Sequence, residues 1–434
     1  MLLIYLPSIT KRSKYVFELI FKNEFGLEYI TTSDIQNFKA HQQEKINYSL
    51  LRVGEEIFIK ASSLLFEQSI KKINVPIETK HNVPVLFPDD AGDIDFDIFA
   101  AVFYMVSRYE EYLPFIPDEH GRFKASESLA YKNNFLQYPV VNIWLQHLKD
   151  ILQNKYPSLQ CKPSSFKAIV TYDIDIAYAY KGRSLFRMAG ATARDVLTLK
   201  FTNIFKRMRS LFYSKDPWDT YAFLQEIILQ KKLSSIYFFL LGDYSRYDKN
   251  IKYDHPLMKA LVNKISAFSD IGIHPSYKSS VTPEKILIEK SRLEQITNKI
   301  ITKSRQHYLR FNLPDTYNQI LEAGITEDYS MGFTGMPGFR AGTCTPFYFY
   351  DLKNEMATGL KIFPISFMEG TFIYYQKLKP KESFEIIFSL INEIDKVDGT
   401  FISIWHNDTV SDDGMYKGWK WVHDEMIKKI SEIL

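Results

Sequence analysis

The segment FKAIVTYDID (166–175) is an apolar run that ends in two aspartates one residue apart, Asp173 and Asp175. Aspartate is a common turn former, so the pair could simply close a strand. The chemical alternative divides the labour: one carboxylate binds a divalent cation and the other takes a proton. Without a cation, two such carboxylates repel and one pKa rises. Histidines that could join them also follow apolar runs. His274 comes after DIGI and before Pro275, and His307 lies in SRQHYLRF. Each could instead be a packed histidine bonded to backbone. Two imidazoles and one carboxylate leave an open position on zinc, as catalytic sites require, and a water there loses its proton near neutral pH. His406, in ISIWHND with Asp408 close by, could carry a charge and act as a general acid. Arg340, in PGFRAGT, could orient a carboxylate or form a surface ion pair.

Such residues need elements to hold them. A chain of 434 residues exceeds one ordinary core, so two domains are expected. After residue 166, short apolar runs alternate with helical stretches: FKAIVTYDID, SSIYFFLLGD, DIGIHPS, SRQHYLRF, YSMGF, KIFPISFME and TFISIWHND, with helices at 254–268, 283–300 and 381–397. The alternation predicts parallel βαβ units, which present function at strand C-terminal ends. Asp173, Asp175, Asp243, His274, His307, Arg340, Glu369, His406 and Asp408 all fall at those predicted ends. Residues 1–160 predict a smaller mixed α/β domain, with strands at 2–6 and 55–61 and helices at 96–113 and 140–153. Residues 154–166 read as a linker.

A net charge of +3 gives no general nucleic-acid footprint. Two cysteines, Cys161 and Cys344, cannot build a disulfide framework or a cysteine zinc site, and they suit a reducing compartment. The apolar run 1–6 is too short for a signal-peptide core. No stretch approaches the ~20 apolar residues of a membrane span, so the expected address is the cytoplasm. Residues 181–215 carry nine Lys or Arg and a single Asp. Leu197, Phe201, Ile204, Phe205, Met208, Leu211 and Phe212 share one helical face. The segment predicts either a helix packed on the second domain with a solvated basic face, or peripheral contact with an anionic membrane or lipid-linked glycan through 197–212.

TYDID, GIHPSY, GFRAGT and IWHND, in that order, resemble motifs of the metal-dependent polysaccharide deacetylases, carbohydrate esterase family four. FYMVSRYEEYL, DEHGRF and RQHYLRF, with WHND followed by GWK, resemble a bacterial subfamily that carries an uncharacterised N-terminal domain. The resemblance implies a distorted (β/α)7-type barrel over 166–434. It also implies metal-dependent removal of an N-acetyl group from an amino sugar or glycan precursor, with zinc or another divalent ion. It implies Asp173 as general base, Asp175 and His274 as metal ligands, Arg340 as the residue orienting Asp173, and His406 as the acid for the departing amine.

The sequence departs from the family at Lys278, where a second histidine is expected; His307 is placed to fill that role. Ala341 and Gly342 stand where a proline–aromatic pair is common. Tyr172, Ser276, Tyr277, Asp328, Glu369 and Trp405 are the expected substrate-binding positions. A backbone N–H near Ser276 or Tyr277 is the expected oxyanion donor, and Glu369 is expected to bind sugar hydroxyls or hold His406. The N-terminal domain is expected to shape or cover the barrel mouth. The competing class is a non-catalytic glycan-binding or assembly protein on a degenerate barrel, which Lys278 favours. A weaker third reading is hydrolysis of another C–N bond.

Overall fold

The computed structural model describes the whole chain except residues 183, 184, 200, 202, 203, 206, 207 and 209–215. The N-terminal segment builds a four-stranded parallel sheet from β1 (Leu2–Tyr5), β2 (Tyr29–Thr32), β3 (Lys45–Ser49) and β4 (Ile57–Lys60), in the order β2-β1-β3-β4. A hairpin follows, β5 (Ile77–Lys80) and β6 (Val83–Leu86). The apolar stretch at 96–113 forms helix Ile98–Val106, buried at every position, and then a 3-10 turn, Tyr109–Tyr112. A helix that is apolar all round belongs inside a core, and this one lies there.

The second part is a nine-stranded sheet: β7 (Lys167–Ile174), β8 (Ser234–Phe239), β9 (Asp270–Ile273), β10 (Lys303–Ser304), β11 (Glu327–Asp328), β12 (Phe347–Asp351), β13 (Met356–Ile362), β14 (Phe367–Met368) and β15 (Thr400–His406). The order is β12-β13-β11-β10-β9-β8-β7-β15-β14, and all ladders are parallel except β12–β13. The predicted helices fall at Pro256–Ile265, Glu284–Thr297 and Pro380–Asp395. The fold is thus mixed α/β, and among the described residues no strand ladder joins the two edges of this sheet. One run, 356–368, pairs with β11 through Lys361 and Ile362 and with β15 through Phe367 and Met368.

Two of the expected strands are shorter or absent. SRQHYLRF contributes only Ser304, the second residue of β10, to the sheet, and YSMGF forms no strand. After β10 the chain turns away as a short 3-10 element, His307–Leu309, with Tyr308 and Leu309 at φ 62° and 47°. Left-handed backbone in non-glycine residues persists only where its surroundings force it, typically near functional sites.

Strand alternation sorts the side chains. The inner face of the large sheet encloses a small core of Ile236, Phe238, Leu309, Tyr329, Ile365, Ile402 and Ile404. Its outer face joins one continuous core that also includes the N-terminal sheet, from Leu2 to Ile430. The two parts are further tied by buried polar bridges. Arg12 pairs with Glu355, and Asn142 meets Thr343, Cys344 and Thr345. Both cysteines are free. Among the described residues, no helix is long and apolar enough to cross a membrane.

Candidate metal centre

Asp175 lies just past β7, His274 just past β9, and His307 opens the turn after β10. Each strand ends at the same side of the sheet, so the three side chains meet. His274 Nε2 lies 3.2 Å from Asp175 Oδ1 and His307 Nε2 lies 3.3 Å from Asp175 Oδ2. One ligand atom from each lies within 4.8 Å of the others. The opposite ring nitrogens are engaged: His274 Nδ1 meets Arg305 O at 2.5 Å, and His307 Nδ1 meets Asp248 Oδ1 at 2.9 Å. Such partners fix the tautomer and leave Nε2 as the ligand atom. Both histidines are buried, whereas the Asp175 side chain keeps 29% exposure, which marks the open side of the cluster.

The residues fit a divalent cation. Asp175 Oδ1 is a buried acceptor without a hydrogen bond, although an imidazole nitrogen stands close to it. Two imidazole nitrogens and a carboxylate oxygen are a donor set for zinc and similar ions. The protein alone balances this cluster by charge. Burial pushes the Asp175 carboxyl up, but His307 and the neighbouring imidazoles outweigh it and hold it well below the carboxylate range. Burial opposes the charge on His307, yet Asp175 and Asp248 raise its pKa to about 9.

Two further ionisable groups flank the open side. Asp173 Oδ1 accepts from Arg305 Nη1 at 2.8 Å, and its Oδ2 lies 3.7 Å from His274 Nε2. Arg305 is fully buried over the ring of Phe238 and also donates to Thr171 Oγ1 and Tyr329 O. His406 lies at the end of β15. Its backbone N–H and Nδ1 both meet Glu369 Oε1, at 2.7 and 2.8 Å, while Nε2 lies 3.5 Å from Asp175 Oδ2. Burial disfavours the charged ring, but Glu369 and Asp175 raise its pKa well above the usual range. Nearby Asp408 is pushed up to about 6, chiefly by burial, and accepts from Tyr416.

Several expected site residues lie elsewhere. Arg340 does not reach Asp173; it forms a two-pronged bridge to Glu111 of the N-terminal segment, at 2.9 and 2.6 Å, and donates to Gly332 O. Arg305 holds Asp173 instead. Tyr172 and Trp405 point to the outer face of the sheet, because each lies one residue from an inward-facing one. Tyr172 bonds His423 and Trp405 packs on the same ring, both fully buried. Asp328 is buried among Ser304 and Ser330 rather than lining the mouth, and burial lifts its pKa to about 6. The expected oxyanion donors are committed: Ser276 N–H donates to Glu289 and Tyr277 N–H to Asp248. Glu369 is fully buried and serves His406, so it does not reach a sugar. Lys278 is exposed and Asp243 pairs with Arg292 and Lys285.

Tyr277 does face the mouth, within a half-buried ring cluster with Tyr247, Tyr308 and His120. His120 comes from the N-terminal segment. Arg310 holds its carbonyl at 2.8 Å, and Arg122 donates to Tyr308 O at 2.6 Å. The loop 118–122 therefore lies against the turn that carries His307.

Glu289, like Arg305 and Asp248, is a residue that no motif in the sequence marks. It is buried, accepts from Ser276 N–H and Oγ, and faces Asp248 and Arg292. Burial lifts its carboxyl from 4.5 to about 7, against the two hydrogen bonds. Because the folded pKa exceeds the unfolded one, its stabilising contribution is full below pH 4.5 and is lost as pH rises toward 7. At about 1.4 kcal/mol per unit, the loss is about 3 kcal/mol. Glu289→Gln is expected to flatten this dependence. Urea unfolding at about pH 4.5 and about pH 8 checks it, and equal pH dependence in variant and wild type would refute it.

Comparison with known proteins gives three results. Residues 2–157 match DUF7033, a family of unknown function. No curated protein matches the chain. Among solved structures, it is similar to a putative polysaccharide deacetylase from Mycobacterium smegmatis (12% identity, TM-score 0.41, covering 62% of this chain and 85% of that one). A probable polysaccharide deacetylase from Pseudomonas aeruginosa (10% identity, TM-score 0.40) shares the same coverage, 62% and 85%. A CE4 family pseudoenzyme from Bacillus anthracis is also similar (9% identity, TM-score 0.30, 63% of this chain and 66% of that one).

Proposed function

We propose that the chain is a metal-dependent hydrolase that removes an N-acetyl group from an amino sugar or glycan precursor. The observation that carries this reading is the convergence at strand ends of a three-ligand cluster, Asp175, His274 and His307, with Asp173 and His406 flanking its open side. A binding module has no need of a ligand set, a base and an acid together. The run 356–368, paired at either end with β11 and β15, supports a distorted (β/α)7-type barrel as the scaffold. The two free cysteines suit a reducing compartment, so the proposed address is the cytoplasm.

A divalent cation held by Asp175, His274 and His307 supplies Lewis-acid polarisation of the amide carbonyl and a more acidic water. Arg305 occupies Asp173 Oδ1, so Oδ2 is the oxygen left to take the proton from the attacking water. The hydroxide oxygen bonds to the carbonyl carbon. His406 donates its Nε2 proton to the amide nitrogen as the C–N bond breaks, giving acetate and a free amine. Glu369 orients the ring through Nδ1 and stabilises its charge before that transfer. Tyr308 packs edge-on against His307, and its hydroxyl makes no hydrogen bond among the described residues. Burial and then Asp175 keep that phenol protonated, so it can donate to a substrate oxygen.

Elemental analysis of the purified protein, before and after equilibration with zinc, tests the reading. The expected result is near one metal per chain in the wild type and a loss in both His274→Ala and His307→Ala. Retained metal in His307→Ala removes that residue from the ligand set. No metal in the wild type, even with excess zinc, sinks the hydrolase reading. The exposed Lys278 then favours a non-catalytic glycan-binding protein.

A further inference from the structure

The connection from β7 to helix Tyr221–Lys231 is a long insertion at the strand end that carries Asp173 and Asp175. Its two roots are pinned together beside the site. The N–H groups of Ala179, Tyr180 and Lys181 donate to the Asp216 carboxylate at 2.7–3.0 Å. Asn407, next to His406, donates to Ile176 O, Ala177 O and Trp218 O, and Thr220 donates back to Asn407 O. The insertion therefore leaves and rejoins the fold at the mouth.

Within it, helix Leu185–Leu197 ends in a turn, and residues 201, 204, 205 and 208 are helical again. The expected packing of this face onto the sheet is not what the described residues show. Leu197, Phe201, Phe205 and Met208 are 84%, 59%, 70% and 52% exposed, with Leu199 beside them at 74%. Leu211 and Phe212 lie outside the described residues. Helical spacing puts 201, 205 and 208 on one face, and Leu197 precedes the turn that leads into it. Large apolar side chains grouped in this way mark an interaction surface.

The sequence of the insertion carries charge of nearly one sign. Residues 181–215 contain nine Lys or Arg against one acid, Asp195, and that acid is buried. Elsewhere on the rim, after β8 and β14, Tyr244, Tyr374 and Tyr375 are exposed. Amphipathic rings of this kind favour the lipid–water boundary.

We propose that the insertion lies on an anionic phospholipid surface, apolar face among the acyl chains and cations at the headgroups, so that the mouth faces the membrane. The consequence for substrate rests on the hydrolase reading: the N-acetylated sugar is carried on a lipid anchor at the membrane face. Docking itself does not depend on that reading.

Co-sedimentation of the full chain with phosphatidylcholine vesicles, with and without phosphatidylglycerol, tests the proposal. The expected result is about tenfold stronger partitioning onto the anionic vesicles, weakened by salt. Phe201→Ser/Phe205→Ser is expected to lower it about tenfold, with circular dichroism and metal content unchanged. No binding to anionic vesicles at low salt overturns the proposal, and so does undiminished binding of the double variant. Elution as a dimer that reverts to monomer in the double variant assigns the face to a second copy and also overturns it. Vesicle binding is read without turnover, so an inactive protein that still binds refutes only the hydrolase reading.

Discussion

Asp173→Asn is expected to lower turnover of an N-acetylated sugar about 10³-fold, the range of a lost general base, while the protein keeps its metal. The substitution preserves shape, and Asp175, His274 and His307 lie outside it. What disappears is the acceptor on Oδ2 for the water proton. The variant also removes the charge opposite Arg305. That guanidinium is fully buried and is left with Thr171 Oγ1, Tyr329 O and the face of Phe238. Breaking a buried pair from one side costs about 3–5 kcal/mol, so activity must be read well below the lowered unfolding temperature. Turnover with KM near the wild-type value, metal content and a denaturant curve together decide the case. Loss of metal in this variant places Asp173 among the ligands instead, and turnover within about tenfold of wild type rejects it as the base.

Arg340→Met is expected to do the opposite: to destabilise the fold by about 3–5 kcal/mol while each folded molecule turns over at nearly the wild-type rate. Arg340 and Glu111 are both buried, at 2% and 4% side-chain exposure, and their bridge is bidentate. The guanidinium lies over Phe311 and Phe333. Removing it leaves Glu111 buried with Arg108, which Glu110 also engages. Glu111→Gln in the same chain is expected to recover part of the loss, because it removes the unpaired charge. Equilibrium unfolding of the two single variants and the double variant measures this. A large fall in turnover per folded molecule, without loss of stability, would return Arg340 to the reaction.

Asp173, Asp175, His274, Glu369 and His406 were legible as candidates because each closes an apolar run, and parallel strands bring their ends together. The fold class was legible from the same alternation, though no strand ladder joins the sheet's two edges among the described residues and SRQHYLRF gives only Ser304 to a two-residue strand. The choice between the two arginines was not legible. Arg305 meets Asp173 across 132 positions and Arg340 meets Glu111 across 229, so nothing local distinguishes them. Arg305 carried one faint signal, its place two residues before His307. Asp248 lies in an irregular polar loop that resembles no motif. Tyr172 and Trp405 were misplaced for want of applying strand period two, which sends them to the opposite face from Asp173 and His406.

The Glu111–Arg340 bridge makes the two parts of the chain depend on each other for folding. Its halves are encoded 229 positions apart, and a neutral residue at either one leaves the other as an unpaired buried charge. A chimera that takes its first 160 residues from a relative with a different side chain at 111 inherits an orphaned cation beneath the mouth. It folds poorly however complete its candidate metal centre is. The arginine of GFRAGT thus acts as a fastener between the two segments and makes no contact with Asp173.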